Sequence, residues 1–372
     1  MSGGAGFIGS HTVDALLAKG YGVRMMDSLE PPVHLKGRPD YVPEEAEFIL
    51  GDVRNKADWE SALKGIEVVF HFAAYQDYLT DFSKFFDVNS RGTALLYEVI
   101  VEKKLPVEKV IVASSQAVYG EGKYKCSEDG TVYPDARSLD QLKKGDWELR
   151  CPKCAAKIKM QPTDESRVNP ANSYGISKYS QGLISLTLGK RYSIPTTCLR
   201  YSIVQGPRQS PYNLYSGALR AFALSIYFGK EPLIYEDGLQ LRDYVNIEDV
   251  VRANLLLMED SRADYQVYNV GGGKAYTVLE LARMVGRTFG DEVNPKTHGE
   301  FRFGDTRHIV SDISKIGALG WKPTNSIEKS VNDYVAWLKE AGVIKDLAEY
   351  AQKKMKDQRV VRKAKGNLEV GV

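Results

Sequence analysis

The opening stretch MSGGAGFIGSHTVDALLAKG constrains the chain most, because Gly3, Gly6 and Gly9 recur at a spacing of three and run into a helical pattern at Phe7 and Ile8. Glycines so placed allow a tight turn and a close backbone approach to a pyrophosphate, which the helix N-terminus then stabilises. A loop of this kind follows a β-strand, yet only Met1 and Ser2 precede it. A central strand of about five or six residues is expected there, since a parallel sheet without it leaves ladder groups unpaired. The expectation is therefore that the true start lies upstream of Met1 or that the chain is shortened. The loop gains weight from Asp27, at the end of the next strand, where a carboxylate can accept hydrogen bonds from a ribose diol and repel a 2′-phosphate. That favours NAD over NADP.

The following two hundred residues repeat one rhythm. YGVRMMD, AEFILGD, IEVVFHFAA, KVIVASS and TTCLRYS read as short strands apolar on both faces. FIGSHTVDALLAKG, ADWESALKG and FFDVNSRGTALLYEVIVEKK between them show helical spacing, with Gly20 and Gly65 as stops. Such alternation implies right-handed crossovers and an α/β, Rossmann-type doubly wound parallel sheet. Residues 1–200 are read as the dinucleotide-binding domain, interrupted by a polar insertion at about 120–168 that holds three of the four cysteines. Residues 201–345 are read as a smaller substrate domain, with about 241–262 returning to the first. Residues 346–372 are read as a basic, solvated tail.

Fifty basic and forty-eight acidic residues leave a net charge of +2, which argues against nucleic acid or a charged membrane surface as partner. No apolar run reaches the roughly 20 residues of a membrane span. Four cysteines in 372 residues do not make a disulfide framework, so a reducing cytoplasm is the default.

YGISK places Tyr174 and Lys178 four apart, on one helix face. A phenol with a pKa near ~10 is a poor base, but a neighbouring ammonium and a positive nicotinamide favour the phenolate and make proton abstraction from a sugar hydroxyl feasible. By itself the spacing also suits a plain surface pair.

These features, with GDV at 51–53, FHFAA at 70–74, VNSRGT at 88–93, VASSQAVYG, GPRQ at 206–209, LRDYVNIEDV at 241–250, YNVGGG at 268–273 and RFGDTRHIVSD at 302–312, resemble the extended short-chain dehydrogenase/reductase family of nucleotide-sugar epimerases and dehydratases. The resemblance implies Tyr174 as acid/base, Lys178 as its electrostatic partner and ribose ligand, and Ser115 as the hydroxyl on the substrate oxygen. It also implies NAD held by Gly3, Gly6, Phe7, Ile8, Gly9, Asp27, Asp52, Val53, Phe72, Ala73, Ala74, Asn89, Ser114 and Tyr201. Ser115, Gln116, Arg208, Arg242 and Arg302 would meet the nucleotide sugar, the last two as bidentate donors to its diphosphate. A homodimer through the helices near 86–102 and 172–192 is the family expectation.

Relatives that dehydrate sugars carry an Asp-Glu pair after the serine, and decarboxylating ones a glutamate. Gln116 and Ala117 stand here instead. What remains is reversible oxidation at one carbon, the chemistry of a 4-epimerase: Tyr174 takes the C4 proton, hydride goes to NAD, the 4-keto sugar turns over and is reduced on its other face. A sugar reductase or dehydrogenase, and a catalytically silent NAD sensor, are the alternatives. RYSIVQGP puts Ile203 where an asparagine is common, and Asn246 replaces a frequent histidine. With the insertion, the pattern looks most like dTDP-L-rhamnose and UDP-glucuronate 4-epimerase-like proteins.

Within the insertion, Cys151 and Cys154 form a C-P-x-C knuckle; Cys126 offers a third thiolate and Asp129 a fourth ligand. A structural zinc fits this set and could supply folding energy to a segment with little core. Metal-free thiols and a disulfide or redox pair are the other readings.

Overall fold

Short apolar runs separated by amphipathic ones produce the alternation. The computed structural model describes residues 1–77, 79–213, 217–290, 295, 297–342 and 348–364. Helix α1 (Phe7–Ala18) leads to β1 (Arg24–Asp27), β2 (Glu47–Leu50), α2 (Lys56–Ala62) and β3 (Val68–His71). Helices α3 (Phe82–Phe86) and α4 (Gly92–Glu102) flank one π-turn at Asp87–Arg91 and precede β4 (Lys109–Ser115). The insertion holds β5 (Tyr124–Cys126), β6 (Gly130–Val132), α5 (Leu139–Lys143) and β7 (Lys159–Met160). The long α6 (Ser173–Arg191) returns the chain to β8 (Thr196–Tyr201) and β9 (Ile203–Gln205).

Beyond it lie α7 (Ala218–Tyr227), β10 (Leu241–Asn246), α8 (Ile247–Glu259), β11 (Gln266–Val270), β12 (Ala275–Thr277) and α9 (Val278–Phe289). Then follow β13 (Glu300–Arg302), α10 (Ser314–Gly317), α11 (Ile327–Ala341), α12 (Ala348–Asp357) and β14 (Val361–Lys363).

Strands β3, β4, β8 and β11 pair in parallel in the order β11-β8-β4-β3, and β1 pairs in parallel with β2. Ser2 joins the two groups, bridging Met26 of β1 and His71 of β3. Its amide donates to Phe70 and that of Gly3 to Met26. Met1 and Ser2 thus hold the sheet position where a leading strand was expected. The fold is the parallel α/β class read from the sequence. Six of the seven β4 residues are buried, as a strand covered on both faces requires.

Helix α8 packs beside α1, and its apolar face joins the main core with Val250, Val251 and Leu257. A second core gathers α7, α9 and α11 around Leu219, Leu281 and Tyr334. The insertion is a three-stranded antiparallel patch in the order β6-β5-β7, with a small core of Tyr124, Cys126, Val132, Leu149 and Cys151.

Residues 348–364, read as part of a solvated tail, instead form α12 and β14. Ala351, Met355 and Val361 bury apolar surface with Leu79 and Tyr235, which outweighs the solvation of the surrounding lysines. Residues 346–347 and 365–372 of that stretch lie outside the described residues. Among the described residues no helix is long and apolar enough to cross a membrane.

Candidate active site

The glycine loop is built for close approach. Gly3 has φ +70°, and a Cβ there would lie 2.6 Å from the Ala73 nitrogen; one on Gly9 would lie 2.1 Å from the Gly3 carbonyl. Side chains are therefore excluded at both positions. At Gly6 the nearest obstacle is 3.3 Å away, so the backbone stays approachable at the start of α1. Phe7 and Ile8 line the adjoining cavity.

Asp27, at the end of β1, accepts from the Ala5 amide at 3.1 Å and the Leu29 amide at 3.0 Å. Each carboxylate oxygen keeps a lone pair for a further donor, as a ribose diol would need. Asp52 is engaged by Arg54, which also reaches Glu30. Val53 packs against Gly92, whose added Cβ would lie 2.9 Å from it. Phe72 packs edge-on to Tyr201, and the Ala73 amide donates to the Ser2 carbonyl. Ala74 follows in the same non-strand segment after β3. Asn89, buried in the π-turn, accepts from the Tyr75 amide at 2.7 Å and donates to Tyr75 O and Ser177 Oγ, fixing this loop against α6.

Helix α6 is opened by Asn172, whose side chain accepts from the Gly175 amide. An added Cβ on Gly175 would meet the Ala117 carbonyl at 2.6 Å, so the glycine lets the helix start close against the segment after β4. That contact brings Ser114, Ser115, Gln116 and Tyr174 to one cavity wall. Burial pushes the Tyr174 phenol up to about 12, opposed by its hydrogen bond from Ser115. Lys178 is buried one turn on, and burial lowers it to about 7. Its ammonium donates to Gln181 at 2.5 Å, and Ser114 Oγ donates to the Lys178 carbonyl.

The cavity has a volume of about 640 Å³ and lies between the parallel sheet and the C-terminal core. Ser115, Gln116, Tyr174, Tyr201, Arg242 and Arg302 all line it. Arg242 donates to the carbonyls of Leu241, Thr306 and Arg307, so it also braces the loop after β13. Arg302 lies 4.6 Å above the Tyr235 ring. Arg208 does not join them: it pairs with Asp14 at 2.7 Å and stacks on Tyr41 at 4.8 Å, turned toward α1 rather than the cavity.

The sequence reading missed several lining residues. Arg220 is 1 % exposed on α7; Gln209, Gln240, Tyr244 and Gln358 each place a buried polar atom on the wall with no hydrogen-bond partner, as Gln116 does. Uncompensated polar atoms are costly in a protein interior, so this surface suits a ligand rich in hydroxyls and imide groups. One signal was legible, an arginine inside the apolar run ALRAFALSIY.

Away from the cavity, Cys126, Asp129, Cys151 and Cys154 converge, with their ligand atoms all within 4.8 Å of one another. Cys126 and Cys154 sulfurs are 3.6 Å apart, and Cys151 Sγ lies 3.1 Å from Asp129. All four cysteines of the chain are free thiols, and Cys198 is buried in β8.

Residues 1–138 and 152–271 match the NAD dependent epimerase/dehydratase family. A dTDP-L-rhamnose 4-epimerase of Burkholderia thailandensis is 32% identical over 347 residues, 91% of this chain and 94% of that protein. The solved UDP-glucose 4-epimerase of Thermotoga maritima, with UDP-glucose, superposes with a TM-score of 0.74 at 30% identity, covering 91% of this chain and 98% of its own. The UDP-glucuronic acid 4-epimerase of Bacillus cereus, with UDP-glucuronic acid and NAD, superposes at 0.73 and 25% identity over 92% and 98%.

Proposed function

The chain belongs to the NAD-dependent epimerase/dehydratase family, and from that premise we propose that it is a nucleotide-sugar 4-epimerase. The observation that carries this reading is the single wall formed by Ser115, Gln116 and Tyr174, with no carboxylate at 116 or 117. The backbone cradle at Gly3, Gly6 and Gly9 and the carboxylate of Asp27 fit NAD. When bound, that cofactor accepts a hydride from the sugar carbon and returns it, with no net redox change.

The chain's own residues do the rest. Tyr174 takes the proton of the C4 hydroxyl and gives it back, while Ser115 holds the same oxygen. Lys178, one turn on along α6, is the cation that would favour the phenolate when protonated, and the Ser115 hydrogen bond opposes the burial that raises Tyr174. Arg242 and Arg302 hold the diphosphate, about which the sugar turns over. Gln116 offers its unpartnered oxygen to a sugar hydroxyl instead of an acid or base.

Turnover with a nucleotide sugar should leave the absorbance of added NADH unchanged. Stoichiometric oxidation of NADH would replace this reading with a reductase.

Two finer parts of the reading extend it. The three thiols and Asp129 hold a structural zinc: a zinc–sulfur bond of about 2.3 Å puts tetrahedral sulfurs about 3.8 Å apart, close to the 3.6 Å between Cys126 and Cys154. Metal analysis should find one zinc per chain in the wild type and none in Cys151→Ser; zinc-free wild type rejects the site. The exposed Ile176 and Leu183, seven apart on α6, favour a homodimer through that helix. With three cysteines on the zinc and Cys198 buried in β8, a reducing cytoplasm is the compartment that suits this reading.

A further inference from the structure

The strand that carries Arg302 pairs with the C-terminal segment and, at Glu300, accepts one further backbone hydrogen bond from Glu236. Strands β13 and β14 form a two-stranded antiparallel ribbon in which Arg302 stands opposite Val361. The Phe303 amide donates to Val360, and the Ala364 amide to Gly299. Helix α12 adds an ion pair between Lys356 and Glu300 at 2.6 Å, and Gln352 bonds both Tyr235 and Glu300. The segment also spans the two halves of the molecule, because Met355 and Val361 share one apolar cluster with Leu79 and Tyr235.

Between α12 and β14 the chain turns at Gln358–Val360, and this turn lines the cavity. Arg359 sits there at φ +58°, in the left-handed region that non-glycine residues seldom adopt. Its amide donates to Lys356 and that of Val360 to Met355, so the turn is fixed by the end of the helix. Arg359 is an exposed residue and lines the cavity, across the ribbon from the segment that follows Arg302. Beside it, Gln358 Oε1 is buried without a partner.

We propose that residues 348–364 are a substrate-recognition element, in which Arg359 binds the diphosphate of the nucleotide sugar beside Arg302. The inference rests on the nucleotide-sugar reading and names a ligand of that site which the matched sequence motifs do not contain. A guanidinium on the ribbon offers a planar pair of donors to a phosphate oxygen pair. The hydrogen-bonded turn keeps the residue at the wall, and removing the segment would also take β14 from the strand of Arg302.

Calorimetry on the full-length protein with UDP, dTDP and uridine tests the proposal, with bound NAD measured in parallel as a control for folding. Arg359→Gln should weaken binding of the better diphosphate roughly tenfold or more, as loss of a charge-assisted hydrogen bond does. Arg359→Lys should recover part of that loss, and the affinity for uridine should not change. Unchanged diphosphate binding in Arg359→Gln overturns the proposal and leaves the epimerase reading standing. An equal loss for uridine also overturns it, because the residue would then act only through the shape of the segment. A wild type that binds neither diphosphate sinks both this inference and the nucleotide-sugar reading.

Discussion

Helix α6 and the cysteine-bearing insertion both hold polar groups in fixed positions, but by opposite means. On α6, Lys178, Gln181 and Ser177 are buried between β4, α4 and β8, and Gln181 bonds Thr93 while Ser177 bonds Asn89. Packing of long elements over-determines these side chains, and the fold tolerates the buried ammonium they surround. The insertion has strands of two or three residues and a core of five buried side chains. Its order comes from charge. Arg307 bonds Glu148, Glu236 and Asp237, and Arg137 bonds Glu236 and the Trp147 carbonyl, pinning the insertion to the loop after β13. A metal at the four converging donors would complete what packing does not supply. The geometry of the α6 side chains is thus set by the core, and that of the insertion by ions.

Four variants can break or sharpen that contrast. The largest effect is on turnover: Tyr174→Phe should lower kcat by about 10² to 10⁴ with thermal stability and bound NAD unchanged. An equal loss of stability would mean that the hydroxyl serves packing rather than chemistry. Next, Arg307→Met removes one of the two guanidinium groups on Glu236, which is 3 % exposed, and the group that bonds Asp237 and Glu148, and should cost about 3 kcal/mol in denaturant unfolding. A loss under about 1 kcal/mol would show that the insertion is not held by charge.

Third, Cys151→Ser or a strong chelator should lower Tm by several degrees, a loss of roughly 2 kcal/mol, while NAD stays bound. A Tm unmoved by either would remove the metal from the comparison.

The smallest effect concerns pH. Lys178 titrates at about 7 when folded and near 10.5 when unfolded, so above pH 7 the unfolded chain binds the extra proton. Its burial cost is fully present below about pH 7 and is relieved as pH rises. Wild-type stability should therefore gain a rising contribution from pH 7 toward pH 9, and Lys178→Met should be more stable at pH 7 and lack that slope. An identical slope in both proteins would contradict the burial of the charge.

The parallel sheet was legible in the sequence because each strand is a short apolar run with a helical segment after it, and KVIVASS became β4 residue for residue. The glycine loop was legible for a similar reason, since tight turns restrict side chains locally. Cys126, Asp129, Cys151 and Cys154 could be grouped because knuckle spacing is itself a local property. Contacts distant in sequence were not legible. Arg208 sits in a motif suggesting substrate contact, but Asp14, 194 residues away, draws it to α1. Arg359 and Gln358 lie in a lysine-rich stretch that reads as solvated, and only the pairing of β14 with β13 turns them to the cavity. Residues 139–151, outside the two blocks of the family match, include Glu148 and Cys151, so family patterns offered least where the insertion departs most.

The central claim is that Tyr174, on a wall without carboxylates at 116 and 117, inverts one sugar carbon. Incubation of the purified protein with UDP-, dTDP- and GDP-sugars, read by proton NMR, tests it directly. The account predicts that at least one sugar relaxes to a mixture of C4 epimers with no net change in NADH, and that Tyr174→Phe leaves the same sugar unchanged. Unaltered sugars across the whole panel, or a 4-keto-6-deoxy product formed with loss of water, would contradict it.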